Sequence, residues 1–294
     1  YLKAASSAIR GIIKAPDNHV LAVADYASIE ARLVFWLAHS MDGLRKYHDG
    51  IDLYKDMASK IYNIPYGRIT DNQRWTGKQV ILGAGFGLGW KGFIGSCERF
   101  GVTVPDDLAQ QSIESYRNDY PEVVDLWNEL DRKSMQAVIT GQITYAAKGR
   151  IAFKTFKTKS GVTFLLMKLP SERFMMYPDV EITTAITPWG AKRRAISYKK
   201  SINGKWLRET TYGGKLTENA IQAIARDLMY YGAQQAKKAG YKVLFSVYDE
   251  IIAEIPKEQA DIKHFEELIC EVPEWGDGIP LEAEGKILTN YQKL

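Results

Sequence analysis

Val243-Leu244-Phe245-Ser246-Val247-Tyr248-Asp249-Glu250-Ile251-Ile252-Ala253-Glu254-Ile255 reads as two apolar strands meeting at an acidic pair. A tight two-residue hairpin favours Asn-Gly or Asp-Gly at its turn, so adjacent acids there need another reason. Two neighbouring carboxylates repel unless a cation or a partner compensates. Mg²⁺, which favours oxygen ligands in octahedral geometry, suits them. Earlier in the chain, His19 to Ala24 forms a second apolar run that ends at Asp25. An antiparallel sheet would bring the two strand ends together as a carboxylate site for two metal ions. Two ions about 3.5–4 Å apart stabilise the attacking and leaving oxygens of an in-line phosphoryl displacement. The plainer alternative has Asp25 capping the following helix and Asp249 as a solvated turn residue.

Outward from these runs, Ser28 to Ala38 places Ile29, Leu33, Trp36 and Leu37 on one helical face, so a strand leads into a helix. From Asp52 to Ile61 and from Asp106 to Ala137, apolar residues recur at three- and four-residue spacing around a glycine-rich middle, which predicts a mainly helical region. Gln142 to Ile186 alternates β-branched and aromatic residues with Lys around Lys159-Ser160-Gly161, a hairpin turn. Leu216 to Ala239 returns to helix, with Gly240 as its C-terminal cap. No repeat, low-complexity segment or flexible linker interrupts the chain.

Arg74, Lys78, Leu82 and Phe86 recur every fourth residue. Each such step advances a helix by only ~40°, so the four form one slowly drifting stripe. Its cations lie toward the helix N-terminus and its apolar groups toward the C-terminus. That polarity suits a nucleoside triphosphate, with phosphates at Arg74, Lys78 and the positive end of the helix dipole, and base and sugar against Leu82 and Phe86. An amphipathic helix with two snorkelling cations is the bland alternative.

The 294 residues, 46% of them hydrophobic, suffice for a substantial core and suggest two linked lobes. No apolar run approaches the ~20 residues of a membrane span, so no membrane association is expected. Tyr1-Leu2-Lys3-Ala4 offers neither Met nor a signal core, and the start reads as a cut. Two cysteines, Cys97 and Cys270, are too few for a disulfide framework and fit buried thiols in a reducing cytoplasm. The formal net charge of +4 is unevenly spread: Lys148 to Lys215 holds 15 Lys/Arg against 4 Asp/Glu, a local +11, leaving −7 elsewhere. Its cations, including Lys192-Arg193-Arg194, are interleaved with Phe, Tyr and Trp. A polyanion with stackable bases would favour such a surface, and a solvated β-ribbon would tolerate it.

Asp25-Tyr26-Ala27-Ser28-Ile29-Glu30-Ala31-Arg32 resembles the first signature of family A, polymerase-I-like DNA polymerases, an Asp-Tyr-Ser-Gln-Ile-Glu-Leu-Arg type sequence. Arg74-x₃-Lys78-x₃-Leu82-Gly83-x₂-Phe86-Gly87 is similar to their fingers-helix signature, where an aromatic usually holds the place of Leu82 and Tyr that of Phe86. Tyr248-Asp249-Glu250 looks like the third signature, usually His-Asp-Glu, and Gln222-x₄-Asp227 resembles the helix whose Gln contacts the primer-template minor groove. The motifs occur in the family's order, and their joint occurrence is far more specific than any one alone. Leu82-Gly83 and the long basic insertion look like the phage-derived branch.

The resemblance implies a template-directed DNA polymerase using two Mg²⁺ ions to add dNTPs to a primer 3′-OH. Asp25 and Asp249 would ligate the ions with help from the Tyr26 carbonyl, and Glu250 would sit nearby. Glu30 would gate against ribonucleotides. Tyr54, Arg74 and Lys78 would approach the triphosphate, Lys78 also as a proton donor to pyrophosphate. Leu82 and Phe86 would pack on the nascent pair, and Gln222 and Tyr248 would touch primer-template DNA. Lys192, Arg193 and Arg194 are the candidate phosphate contacts of the basic segment.

The implied fold is α+β: a palm (1–45 and 205–294) with a small antiparallel sheet, interrupted by a largely helical fingers lobe with a β-rich basic insertion (46–204). Thumb and exonuclease domains are not expected within the chain, and such parts or other replication proteins would be its partners. A catalytically silent nucleic-acid-binding fragment is one rival reading. A dinucleotide-binding oxidoreductase, with Val80-Ile81-Leu82 as a strand entering Gly83-Ala84-Gly85, is a remoter one.

Overall fold

The computed structural model describes residues 8–187 and 190–292, so the Tyr1-Leu2-Lys3-Ala4 start lies outside the described residues. Strand β1 (His19–Tyr26) passes through a short turn containing Ser28, at φ 53°, into helix α1 (Ile29–Ala38). Helices α2 (Met41–His48), α3 (Leu53–Tyr62), α4 (Asp71–Ala84), α5 (Trp90–Glu98), α6 (Asp106–Asp119) and α7 (Pro121–Thr140) follow. The periodic run from Asp106 to Ala137, expected to be mainly helical, divides into two helices. Pro121 lacks the N–H that a continuing helix needs and instead occupies the first turn of α7, where that donor is not required.

The chain then turns to strands β2 (Thr144–Ala146), β3 (Ile151–Lys157), β4 (Thr163–Lys168), β5 (Phe174–Tyr177), β6 (Glu181–Ile186), β7 (Lys192–Ile202) and β8 (Lys205–Thr211). They form two antiparallel sheets, ordered β2-β3-β4-β5 and β6-β7-β8. The expected hairpin at Lys159-Ser160-Gly161 joins β3 to β4, closed by the Thr158 N–H donating to the Val162 carbonyl at 2.9 Å. Helix α8 (Gly213–Lys238) precedes β9 (Lys242–Val247), β10 (Glu250–Pro256), α9 (Ile262–Ile269) and β11 (Ala283–Leu288). Gly240 follows α8 at φ 95°, as its sequence position suggested.

Two compact units result: residues 1–32 with 223–294, and residues 33–222. Both cuts fall inside continuous helices, α1 and α8, whereas the sequence reading drew its boundaries at 45/46 and 204/205. In the first unit, a four-stranded antiparallel sheet has the order β11-β1-β10-β9. Ala22, Val23 and Ala24 of β1 are fully buried. Burial on both faces explains why His19–Ala24 reads as a continuous apolar run without alternation. One face packs Leu21, Val23 and Ile252 against Ala15 and Tyr291. In the second unit, α3 and α4 lie so close that a Cβ on Gly77 would stand 2.1 Å from the Tyr54 carbonyl oxygen, which no larger residue tolerates. No helix among the described residues is long and apolar enough to cross a membrane.

Candidate active site

The two acidic strand ends, far apart in sequence, meet in the first unit. The register sets Asp25 across from Glu250, and the Tyr26 N–H donates to the Asp249 carbonyl at 3.2 Å. Asp25 lies within β1, and α1 begins only at Ile29, so Asp25 is a strand residue and not the helix cap of the plainer alternative. Asp249 occupies a two-residue turn after Tyr248, whose φ of 55° is left-handed and whose ring is 93% exposed. Non-glycine residues in that region store strain of about 1–3 kcal/mol and cluster at functional sites.

Glu250 takes a different position from Asp249. It is buried and accepts a short hydrogen bond from the Tyr291 hydroxyl, which ties it to the core beneath the sheet. The Tyr26 side chain points to the opposite face, where its hydroxyl donates to the Ile269 carbonyl at 2.5 Å. Burial pushes this hydroxyl far above the usual tyrosine range, so it stays a donor. Tyr26 can therefore offer only its backbone oxygen to the carboxylates' side of the sheet.

Arg32 anchors the turn that follows. Its Nε donates to the Ala27 carbonyl at 2.7 Å, one Nη to the Pro280 carbonyl at 2.7 Å, and the other pairs with Glu282. Sequence reasoning singled out neither this role of Arg32 nor Glu284, which β11 sets across from Asp25 on the edge away from Glu250. A register between distant strands leaves no local signal for either.

The donor chemistry fits a hard divalent ion. Asp25 and Asp249 present hard oxygens at neighbouring strand ends. Among the described residues no group of three or more His, Cys, Asp or Glu side chains forms a self-sufficient cage. Mg²⁺ is commonly held by one or two carboxylates, with substrate phosphates and water completing its shell.

In the second unit, Thr70 and Gln73 form a reciprocal cap at the start of α4. One turn on, Arg74 Nε contacts Asp52 Oδ2 at 2.6 Å. Asp52 also caps α3, its Oδ1 accepting from the Tyr54 and Lys55 N–H groups. The Arg74 guanidinium lies 5.1 Å and the Lys78 ammonium 5.6 Å from the centre of the Tyr54 ring. The structure thus gathers Tyr54, Arg74 and Lys78 as expected and adds Asp52 as the group that orients Arg74. Its cap position before a helical run was the available signal.

One expectation for this helix needs correction. α4 ends at Ala84, so Phe86 lies outside the helix that carries Arg74, Lys78 and Leu82. Its N–H donates to the Gly83 carbonyl at 3.1 Å in a turn through Gly85 and Gly87. Three glycines in five residues weaken helical continuation, and tertiary contacts fix the turn. The Trp127 indole donates to the Gly85 carbonyl at 2.8 Å, and a Cβ on Gly214 would come within 2.3 Å of the Phe86 carbonyl. The helical state of Val80-Ile81-Leu82 also removes the oxidoreductase reading, which requires a strand before Gly83.

The remaining candidates occupy contrasting settings. Glu30 sits in the first turn of α1, and Gln222 is exposed on α8. Along β7, Lys192 and Arg194 are exposed, while Arg193 turns the other way to contact Asp131 at 3.2 Å and the Thr211 carbonyl at 3.3 Å. Burial raises the Asp131 pKa, and Arg193 opposes that shift. Arg193 is thereby committed to the protein, a result of strand alternation. Lys199 and Arg208 both pair with Asp179, whose carboxyl is held low chiefly by Lys199. Cys97 and Cys270 are free thiols, and burial pushes Cys270 up to about 11.

The first unit, an antiparallel sheet with acids at two strand ends, and the second, with its cationic helix, make an α+β chain. The family model for DNA polymerase family A matches residues 2–162, and the chain belongs to that family. It is 27% identical over 293 residues to the DNA polymerase of Bacillus phage SP02, covering 98% of this chain and 43% of that protein. It is 22% identical over 284 residues to the thermostable DNA polymerase I of Thermus aquaticus, covering 94% of this chain and 27% of that one. The structure resembles the POL domain of Pol1 from M. smegmatis, solved as a complex with DNA primer-template and dNTP. That match has a TM-score of 0.57 at 19% identity, covering 97% of this chain and 42% of the other. The chain spans less than half the length of these relatives.

Proposed function

We propose that the chain carries the nucleotidyl-transfer core of a phage-type, template-directed DNA polymerase, adding dNTPs to a primer 3′-OH. The observation that carries this reading is the meeting of Asp25 and Asp249 through the 25–250 register and the Tyr26–Asp249 hydrogen bond. Two Mg²⁺ ions held by these carboxylates, with the Tyr26 carbonyl assisting, would supply charge neutralisation at the attacking and leaving oxygens.

The chain's own residues do the rest. Arg74, fixed by Asp52, and Lys78 bind the triphosphate, and Tyr54 supports both cations from below. Lys78 donates a proton to the departing pyrophosphate. Glu30 restricts the space beside the sugar 2′ carbon, and Leu82 and Phe86 pack on the nascent pair. Gln222 and Tyr248, both exposed, reach the primer-template, and Lys192 and Arg194 meet its phosphates. The reaction belongs in the cytoplasm of a bacterial or phage-infected cell.

Extension of a labelled primer-template under single-turnover conditions at saturating DNA tests the assignment. The parent should extend with dNTPs and Mg²⁺, and Asp25→Ala or Asp249→Ala should lose at least about a thousandfold in rate. Thermal midpoints should stay near the parent's, since each change relieves carboxylate repulsion. Near-parental extension by either variant would overturn the metal assignment. Binding of DNA without extension by the parent would favour the silent nucleic-acid-binding reading.

A further inference from the structure

Both faces of the β2-β3-β4-β5 sheet carry large apolar side chains. Its inner face carries Ile151, Phe153, Leu165, Met167 and Tyr177, all buried. The register assigns the opposite face: Tyr145 lies across from Ala152, Lys154 from Leu166, Phe156 from Phe164, and Lys168 from Phe174. This outer face is open, with Tyr145 58%, Phe156 54% and Phe174 46% exposed. A half-buried antiparallel sheet usually turns polar residues outward, and contiguous exposed apolar surface marks an interaction site.

Charge selects the occupant. Between Thr144 and Tyr177 there are seven Lys and Arg residues, of which the register puts Lys154 and Lys168 on this face while Arg150 is held against Trp36, and a single acid, Glu172. That acid is paired with Lys168. Protein interfaces deplete lysine from their apolar centres, whereas aromatic rings set among lysines are how sheets hold unpaired bases while neutralising their phosphates. A duplex buries its base faces and cannot use the rings.

We propose that this face is a platform for an unpaired DNA strand, with bases stacking on Tyr145, Phe156 and Phe174 and phosphates meeting Lys154 and its neighbours. The platform goes beyond the polymerase reading, and its test requires no catalysis.

Equilibrium binding of a labelled oligothymidylate and of a blunt duplex of equal length, read across a salt series, tests it on the whole chain. The parent should prefer the single strand. Phe156→Ala should weaken strand binding by about tenfold, as expected when one base is deprived of its stacking ring, without altering the salt slope. Lys154→Gln should flatten that slope by about 0.7, as expected when one phosphate of a single strand is no longer neutralised. Phe156→Leu, which keeps apolar area without a π face, should bind like the alanine variant. Urea midpoints should match the parent's, because these side chains are exposed.

Parental strand affinity in Phe156→Ala, full rescue by leucine, or an equal loss for duplex would each overturn the platform. So would sedimentation showing that Phe156→Ala dissolves a dimer while strand binding persists. Because the binding assay contains no nucleotide, a failure of primer extension bears on the catalytic reading alone.

Discussion

The β7–β8 and β9–β10 hairpins are both closed by two residues, yet their turns obey different rules. Asn203-Gly204 links Ile202 to Lys205 with φ values of 51° and 77°, the residue types that enter left-handed backbone most easily. Tyr248-Asp249 links Val247 to Glu250 and puts a tyrosine at φ 55° with its ring in solvent, so no packing offsets the local cost. The first turn is chosen for folding. The second sacrifices local preference and is the one that carries an acid beside Asp25. Backbone strain thus separates a structural hairpin from a candidate catalytic one where strand pattern alone does not.

The most direct way to break this comparison is to give the strained turn the residues of the relaxed one. Replacing Tyr248 and Asp249 by Asn and Gly should abolish extension, by at least about a thousandfold, while raising stability by roughly 1 kcal/mol. Single-turnover incorporation and urea unfolding measured together read both effects. Retained extension would show that the acid in the turn is dispensable.

Each hairpin also carries a Glu that accepts a hydrogen bond from a tyrosine, Glu209 from Tyr198 of the same hairpin and Glu250 from Tyr291 beyond β11, and the two differ in setting. Tyr291→Phe removes the donor to buried Glu250 and should destabilise the protein by about 1.5–3 kcal/mol. Tyr198→Phe removes only a 3.4 Å contact to Glu209 and should cost at most about 0.5 kcal/mol. Equal unfolding midpoints in urea for the two variants would deny Glu250 its buried role.

Gly204→Ala should cost about 1–2 kcal/mol, because alanine enters left-handed backbone poorly, and should leave the rate per folded molecule unchanged. A rate loss without a stability loss would assign the relaxed turn a function. The smallest effect concerns β7. Ala at Lys192 and Arg194 should lower the salt slope of duplex binding by at most about 2 units, whereas Arg193→Ala should leave the slope intact and reduce stability by taking the guanidinium away from Asp131.

Much of this was legible in the chain because local chemistry decided it. Apolar runs ending in Asp25 and at Asp249 marked strand ends, and four-residue spacing placed Arg74, Lys78 and Leu82 on one helix. Alternation located the β-rich segment but did not reveal that Tyr145, Phe156 and Phe174 share one open face while Arg193 turns inward, since facing depends on register and on what packs behind the sheet. The end of α4 before Phe86 was likewise hidden. It depends on the packing of Trp127 and Gly214 against the turn, from positions far away in sequence.

The sequence by itself determined the order of the motifs, the acids at two strand ends and the shared helix of Arg74, Lys78 and Leu82, because each rests on neighbours within a few residues. Only the tertiary structure decided that Asp25 stands between Glu250 and Glu284, that Asp52 holds Arg74, and that Glu250 belongs to Tyr291. Those pairings join residues that chain periodicity never relates. They are selected by sheet register and core burial, where one polar group left without its partner costs about as much as a whole hydrogen bond contributes.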